Sequence, residues 1–279
     1  MAETIRKLVP PEALETVLRE FADLPGDDHR AKLFREIPLY LQDLFGEISS
    51  VYTRGRQPPN YSHLVNQLLP AFERVAFVTT NYDLFLEQVL MVPAIRGPIE
   101  GMGWYIQSPG WLLTKLHGSV NWGRRILNHP AAINWIDLNM LSELELALDP
   151  SIDLLSTFQV RAIDEFPIYP ALVAPVEGKY GFVCPPQHVD ALKELLPTCG
   201  SVLVIGHSAQ DTDMLELLGD HLGPCRLLGV VGANERDVVA TRRRLVEKVP
   251  QLRRVNVMEY AEGFSAFLWS KGAEKFCAA

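Results

Sequence analysis

Polar turns that follow short apolar runs hold the residues best able to do chemistry. The run 75–78 leads into Thr-Thr-Asn-Tyr-Asp at 79–83, and the run 111–116 leads into His-Gly-Ser at 117–119. Open α/β sheets bind their ligands at the carboxyl ends of parallel strands, where such turns lie. Histidine can also exchange a proton near neutral pH. Asn81, Asp83 and His117 are therefore the first candidates for a binding or catalytic site.

Two later turns have the same polar character, at 206–213 (Gly-His-Ser-Ala-Gln-Asp-Thr-Asp) and at 232–237 (Gly-Ala-Asn-Glu-Arg-Asp). Because such turns share one edge of a sheet, we expect Asn81, His117 and Ser208 to line a single cleft. A purely structural explanation also exists, since the turns contain good helix N-caps, namely Asn81, Asp83, Ser208, Asp211 and Asn234. His117 is not explained by capping, although a half-buried structural histidine would also fit.

The elements that would position these turns are strands alternating with helices. Apolar runs predict parallel strands at Val75 to Thr80, Leu112 to Leu116, Val202 to Ile205, Leu227 to Val231 and Val255 to Met258. Helical spacing follows at 84–90, 211–222, 234–249 and 262–270, and a further helix is predicted at 186–196. This alternation indicates an α/β fold with a doubly wound parallel sheet.

Two regions depart from this alternation. Residues 1–72 are predicted to form a helical segment, with helices at 11–24, 28–45 and 62–72. Residues 73–279 are predicted to form the α/β domain, with a helical insertion at about 124–165 whose helices lie at 138–148 and 152–163. Residues 104–106 are predicted to be a short edge strand, and residues 168–175 to be extended.

Composition and charge narrow the class of protein. The 279 residues are 48% hydrophobic and 22% charged, which suits a chain with a substantial core. The net charge of -8 gives no electrostatic reason to expect nucleic acid as a partner. No membrane span or signal peptide is predicted, so a cytoplasmic location is expected. The four cysteines form no Cys-x-x-Cys pair, so no metal site is expected.

A family resemblance rests on four motifs in chain order: Thr80-Asn81-Tyr82-Asp83, Lys115-Leu116-His117-Gly118-Ser119, Gly206-His207-Ser208 with Asp211 and Asp213, and Gly232-Ala233-Asn234. They resemble the successive motifs of the sirtuin (silent information regulator) superfamily, which implies a Rossmann-like domain. Thr-Thr-Asn-Tyr-Asp and Lys-Leu-His-Gly-Ser resemble the prokaryotic branch that lacks the four-cysteine zinc ribbon. Members of that branch commonly hydrolyse NAD, often as effectors of antiphage defence.

The resemblance also implies roles for individual residues. Asn81 matches the asparagine that holds the nicotinamide ribose, Asp83 the residue that contacts the nicotinamide amide, and His117 the general base. Thr80 and Gly118 fall within the same cofactor-binding motifs. Gly206 and Ser208 match the turn that faces the phosphates, and Asn234 the asparagine near the adenosine ribose. Cleavage of the bond from nicotinamide to ribose develops oxocarbenium-like charge, which calls for polar acceptors, a placed water and a base.

The chain departs from the family pattern before residue 75. Sirtuin-like proteins begin with a strand and a Gly-Ala-Gly-x-Ser turn that holds the dinucleotide phosphates, and residues 1–74 contain no such turn. In the family's strand order, the strand would lie between the runs at 75–80 and 202–205, so its loss would leave two rows of backbone groups unpaired. Three explanations are open: the chain is a truncated form whose start lies upstream, the helical segment replaces the strand, or the chain is an inactive relative.

Two functions from different classes follow. The first is an NAD glycohydrolase with Asn81 and His117 at its centre, for which NAD is the substrate. The second is a non-catalytic binding or scaffold module that has lost the phosphate-binding turn, and NAD-dependent protein deacylation is a weaker third. NAD is the expected small-molecule partner, a homo-oligomer is left open, and neither nucleic acid nor a membrane is expected.

Overall fold

The computed structural model of the protein describes residues 20, 24, 28–52, 58–92, 95–128, 146–174 and 181–279. The helix predicted at 11–24 and most of the one predicted at 138–148 lie outside these residues. The described helices are α1 (His29–Tyr52), α2 (Pro59–Ala71), α3 (Phe85–Leu90), α4 (Pro186–Leu195), α5 (Thr212–His221), α6 (Glu235–Lys248), α7 (Gly263–Trp269) and α8 (Gly272–Ala278). The strands are β1 (Val75–Thr79), β2 (Trp111–Lys115), β3 (Gly118–Arg125), β4 (Asp153–Leu154), β5 (Ala162–Ile163), β6 (Phe166–Leu172), β7 (Ser201–Ile205), β8 (Leu227–Val231) and β9 (Asn256–Tyr260).

The chain divides into two compact units. The first comprises residues 1–51, 80–84 and 117–185, and the second comprises residues 52–79, 85–116 and 186–279. The chain therefore passes from the second unit into the first at Thr80, returns at Phe85, and enters the first unit again at His117. Residues 80–83 and 117–119 of the first two predicted site turns therefore lie in the first unit.

The first unit is built on an antiparallel sheet with the strand order β4-β3-β6-β5. Long strand β3 pairs with β6, so that Gly118 lies opposite Leu172 and Arg125 opposite Ile168. Helix α1 supplies much of the hydrophobic packing in this unit, because its buried Ile37 and Leu41 cluster with Leu172 and Ala174 of the β6 region.

The helical insertion predicted at about 124–165 is wrong for the part that the structure describes. Residues 152–163 contain the short strands β4 and β5 and no helix. Leu154 pairs with Trp122, and the Asp153 carboxylate accepts a hydrogen bond from Nε of Arg125 at 2.9 Å. These partners lie about 30 residues away in the chain. The local spacing of residues 152–163 resembles that of a helix and does not indicate such distant partners.

The second unit contains the five strands predicted to be parallel. β1 pairs with β2, and β8 lies between β7 and β9, each pair parallel and in continuous register. The parallel pairs are thus confirmed, but the pairings form a two-stranded and a three-stranded sheet rather than one sheet. Every residue of β2 and β8 is buried, whereas most residues of β1 and all of β7 are only half-buried.

The short strand predicted at 104–106 is instead part of a 3-10 helix, Met102–Tyr105. Trp104 and Tyr105 are both buried, and the indole Nε1 of Trp104 donates to the carbonyl of Gly97 at 3.2 Å. A strand with one solvent face would expose one of two successive side chains. A helical turn can bury both residues, which explains why aromatic composition alone misled the prediction.

Candidate functional site

The turns that carry Asn81 and His117 are held together by main-chain hydrogen bonds within the first unit. The N–H of Val120 donates to the carbonyl of Tyr82 at 3.1 Å, and the N–H of Val173 donates to the carbonyl of His117 at 3.0 Å. The hydroxyl of Tyr82 donates to the carbonyl of Val173 at 2.7 Å. The two turns predicted to share a site therefore share one backbone network.

Within this network the candidate side chains differ in exposure. Asn81 is exposed, whereas Thr80, Asp83 and His117 are half-buried. An exposed amide can donate and accept hydrogen bonds, and an imidazole can take up a proton, so both side chains have the chemistry that the prediction required.

Gly118 has a structural reason to be glycine. Its φ of 88° lies in the region that favours glycine, and a Cβ there would overlap the carbonyl oxygen of Ala171. The residue is the first of β3, so the predicted His-Gly-Ser turn is shorter than expected and consists of Leu116 and His117. Gly118 thus fixes how closely β3 approaches β6, next to His117.

Helix α1 supports both turns through buried polar side chains. Nε2 of Gln42 donates to the carbonyl of Val120 at 3.0 Å. Oγ of Ser49 accepts from the N–H of Leu84 at 3.1 Å, at the end of the 80–84 turn. Gln42 and Ser49 are each 1% exposed. Neither residue could be recognised from the sequence, because a single polar residue in an amphipathic helix does not reveal what it contacts.

Gly206 and Ser208 lie in the second unit, in the turn that follows β7. The N–H of Gly206 donates to the carbonyl of Val231, and Gly206 has a φ of 64°. Ala209 also has a positive φ, of 53°, which a non-glycine residue adopts only where its surroundings hold it.

Helix α6 and the turn itself supply contacts that hold this conformation. Nη1 of Arg244 donates to the carbonyl of Ser208 at 2.8 Å, and the N–H of Ala209 donates to Nδ1 of His207 at 2.9 Å. An acceptor Nδ1 requires the ring proton of a neutral imidazole to reside on Nε2. The Ser208 side chain itself is exposed.

The capping explanation is confirmed for two of the candidate turns. Oδ1 of Asp211 accepts from the N–H of Met214 at 2.9 Å and caps α5. Oδ1 of Asn234 accepts from the N–H of Asp237 at 3.0 Å and caps α6, while its Nδ2 donates to the Asp237 carboxylate at 2.8 Å. The amide of Asn234 is therefore already engaged in the helix start.

An ion pair that sequence analysis did not assign lies in the second unit. Nζ of Lys115, the last residue of β2, is 2.9 Å from Oε1 of Glu87 in α3, and the hydroxyl of Tyr105 is 3.4 Å from the same oxygen. A signal for this pair was present, because a charged residue within an apolar run is rarely buried without a partner. No group of three or more His, Cys, Asp or Glu that could hold a metal occurs among the described residues.

Residues 75–223 match the model of the SIR2-like domain. This range covers more than half of the chain and includes the turns that carry Asn81, His117 and Ser208. The chain therefore belongs to the SIR2-like family, and that family generally uses NAD as a substrate. The resemblance to the sirtuin superfamily is thus confirmed.

No curated protein and no solved structure gives a significant match to the chain. Within the described part of the chain, the helices are too short or too polar to cross a membrane.

Proposed function

We propose that the protein is an NAD glycohydrolase that cleaves NAD to nicotinamide and ADP-ribose. The observation that carries this proposal is the backbone network shared by the two turns. In it, the N–H of Val120 donates to Tyr82, next to Asn81, and the N–H of Val173 donates to His117. Such a network supports a fixed separation of Asn81 and His117. Fixed placement of reacting groups is a large part of enzymatic rate enhancement.

In the proposed reaction, the bond from C1 of the ribose to the nicotinamide nitrogen breaks, and its electron pair leaves with nicotinamide. The oxygen of a water molecule then bonds to C1, and the proton of that water passes to His117. Asn81 holds the ribose and the water, while Asp83 contacts the nicotinamide amide. The products are nicotinamide, ADP-ribose and one proton, so atoms and charge balance.

The remaining candidates would bind the rest of the dinucleotide. Thr80 and Gly118 belong to the motifs around nicotinamide, and Gly206 and Ser208 would face the phosphates through backbone N–H groups. Asn234 would lie near the adenosine ribose. Its Oδ1 and Nδ2 each make one hydrogen bond to Asp237 at the start of α6, so the ribose would use the remaining donor and acceptor positions of the amide. Consumption of NAD by such an enzyme is also the chemistry of an antiphage effector, the role common in the branch that the motifs resemble.

A second candidate function is a non-catalytic module that binds NAD or a partner. It is favoured by the described residues just before β1, which form helix α2 and the link Phe72-Glu73-Arg74 and contain no Gly-rich turn. Such turns bind phosphate through several N–H donors, and each charge-assisted bond contributes roughly 1.5 to 3 kcal/mol. A chain without them would bind NAD weakly.

Calorimetric titration with NAD and a nicotinamide-release assay on the same preparation separate these functions. A glycohydrolase releases nicotinamide and ADP-ribose in equal amounts and needs no acylated peptide. Binding without nicotinamide release would support the module and contradict the proposed enzyme. Neither binding nor release, across a wide range of NAD concentrations, would contradict the enzyme and leave a module whose ligand is a partner other than NAD.

A further inference from the structure

We propose that Tyr82 is a positioning residue that sets the placement of Asn81 relative to His117. The expected effect on nicotinamide release rests on the proposed NAD hydrolysis, whereas the structural contact itself does not. The sequence alone indicates no role for Tyr82, because a tyrosine between two polar residues can simply contribute its ring to a core.

Tyr82 is attached to the first unit at three points. Its carbonyl accepts from the N–H of Val120 at 3.1 Å, and its hydroxyl donates to the carbonyl of Val173 at 2.7 Å. Its ring packs edge-on against Phe45 of α1, with 5.5 Å between the ring centroids. These contacts involve the main chain, the hydroxyl and the ring, so they restrain both the backbone and the side chain of Tyr82. Asn81 is exposed and directly precedes Tyr82 in the chain, so a restraint on Tyr82 also limits the backbone of Asn81.

Val173 connects this restraint to the histidine. Its carbonyl accepts from the Tyr82 hydroxyl, and its N–H donates to the carbonyl of His117 at 3.0 Å. A single residue of the chain after β6 therefore contacts both turns. A displacement of the Tyr82 hydroxyl would be transmitted through Val173 to the backbone of His117, and a displacement of about 1 Å in a site can cost on the order of 100-fold in rate.

The hydroxyl is the part of Tyr82 that this inference depends on. Phenylalanine would keep the ring that packs on Phe45 and the main-chain bond from Val120, and it would remove the bond to Val173. The chain offers a matched control in Tyr169, which lies in the same unit and donates its hydroxyl to the carbonyl of Arg35 at 2.6 Å. Burial raises the pKa of Tyr169 well above its usual range, so its hydroxyl stays protonated and can donate.

The test compares Tyr82→Phe with Tyr169→Phe in the full chain. Each variant loses one hydroxyl-to-carbonyl hydrogen bond, so we expect similar small decreases in the midpoint of urea unfolding. Only Tyr82→Phe should lower kcat for nicotinamide release, by about 10- to 100-fold, with little change in KM. Equal kcat values for the two variants, or a change confined to KM, would overturn the positioning role.

Amide hydrogen exchange tests the same contact without NAD. Tyr82→Phe should speed exchange at the amides of Val120 and Val173 several-fold, and Tyr169→Phe should leave both rates unchanged. Unchanged exchange in Tyr82→Phe would overturn the inference. If the wild-type protein releases no nicotinamide but the exchange rates change as expected, the positioning contact is supported and only the proposed reaction fails.

Discussion

Nζ of Lys115 lies 2.9 Å from Oε1 of Glu87, and each side chain is 1% exposed. The pair joins the last residue of β2 to helix α3 within the second unit. In the chain, Lys115 precedes His117 by two residues and Glu87 follows Asp83 by four. Removal of one partner of a buried ion pair leaves an uncompensated charge, so the two residues constrain each other strongly. The ion pair thus fixes the end of β2, which precedes His117 in the chain, to the start of α3, which follows Asp83.

Glu87→Gln should therefore destabilise the protein by about 3–5 kcal/mol in urea unfolding, because the Lys115 ammonium would stay buried without a counter-charge. Glu274→Gln is the matched control. Glu274 pairs with Lys271 on the surface, where the side chains are 43% and 70% exposed, and its loss should change stability by less than about 1 kcal/mol. Similar costs for the two variants would mean that the buried pair has no special importance.

Gly118→Ala should destabilise the first unit by roughly 2–4 kcal/mol, through backbone strain at φ 88° and overlap with the carbonyl of Ala171. Gly97→Ala separates the two causes. Gly97 has a φ of 87°, and a Cβ there would meet no atom within 4 Å, so only the strain remains. Urea unfolding should give a clearly larger loss for Gly118→Ala, and equal losses would show that the overlap relaxes without cost.

His188 should make folding stability depend on pH. The residue is 1% exposed, its Nε2 lies 2.9 Å from the carbonyl of Met102, and burial lowers its pKa from 6.5 to about 4. Between pH 6.5 and pH 4, the unfolded chain therefore binds more protons than the folded protein. The contribution of His188 to folding stability is complete above pH 6.5 and is lost as the pH falls towards 4. The loss from pH 7 to pH 5 should be roughly 2 kcal/mol.

Urea unfolding at both pH values checks this dependence, with His188→Gln as the comparison. Glutamine cannot take up the proton, so the variant should lose less stability than the wild type between pH 7 and pH 5. An identical decrease in both proteins would assign the pH dependence to other groups.

The edges of β1 and β7 should be visible in amide exchange. The N–H of Val75 donates to the carbonyl of Gly110, just before β2, and the N–H of Gly206 donates to the carbonyl of Val231 in β8. Successive N–H groups of a parallel strand point to opposite sides, so those of Ala76, Val78, Leu203 and Ile205 face away from β2 and β8. Among the described strands, none pairs with these edges. These four amides should exchange faster than those of Phe77 and Val204. Uniform slow exchange along both strands would indicate that a further strand, from this chain or another, covers the edges.

The elements that could be predicted from the sequence are those whose structure is determined by local chemistry. The runs that became β1, β2, β7, β8 and β9 are apolar and often β-branched, which favours buried parallel strands. The starts of α5 and α6 were marked by Asp211 and Asn234, because capping depends on residues three positions apart.

The missed features depend on distant partners. The first two residues of β3, Gly118 and Ser119, were predicted to be part of a turn, because the pairing of β3 with β6 becomes apparent only when Gly118 meets Leu172. Likewise, nothing near Tyr82 in the chain indicates that its hydroxyl reaches Val173, 91 residues later. The closeness of the two site turns was predicted from fold rules, whereas the contacts that hold them could be found only in the folded chain.

Nicotinamide release by Asn81→Ala and His117→Ala tests the central claim most directly. Asn66→Ala and His63→Ala serve as controls, because Asn66 and His63 are exposed on α2. If Asn81 and His117 form one NAD-cleaving site, each of the two site variants should release nicotinamide at least about 100-fold more slowly than wild type, with an unchanged circular dichroism spectrum. Both controls should match the wild type. Cleavage by His117→Ala at the wild-type rate would contradict the assignment of His117 as the base and, with it, the proposed site.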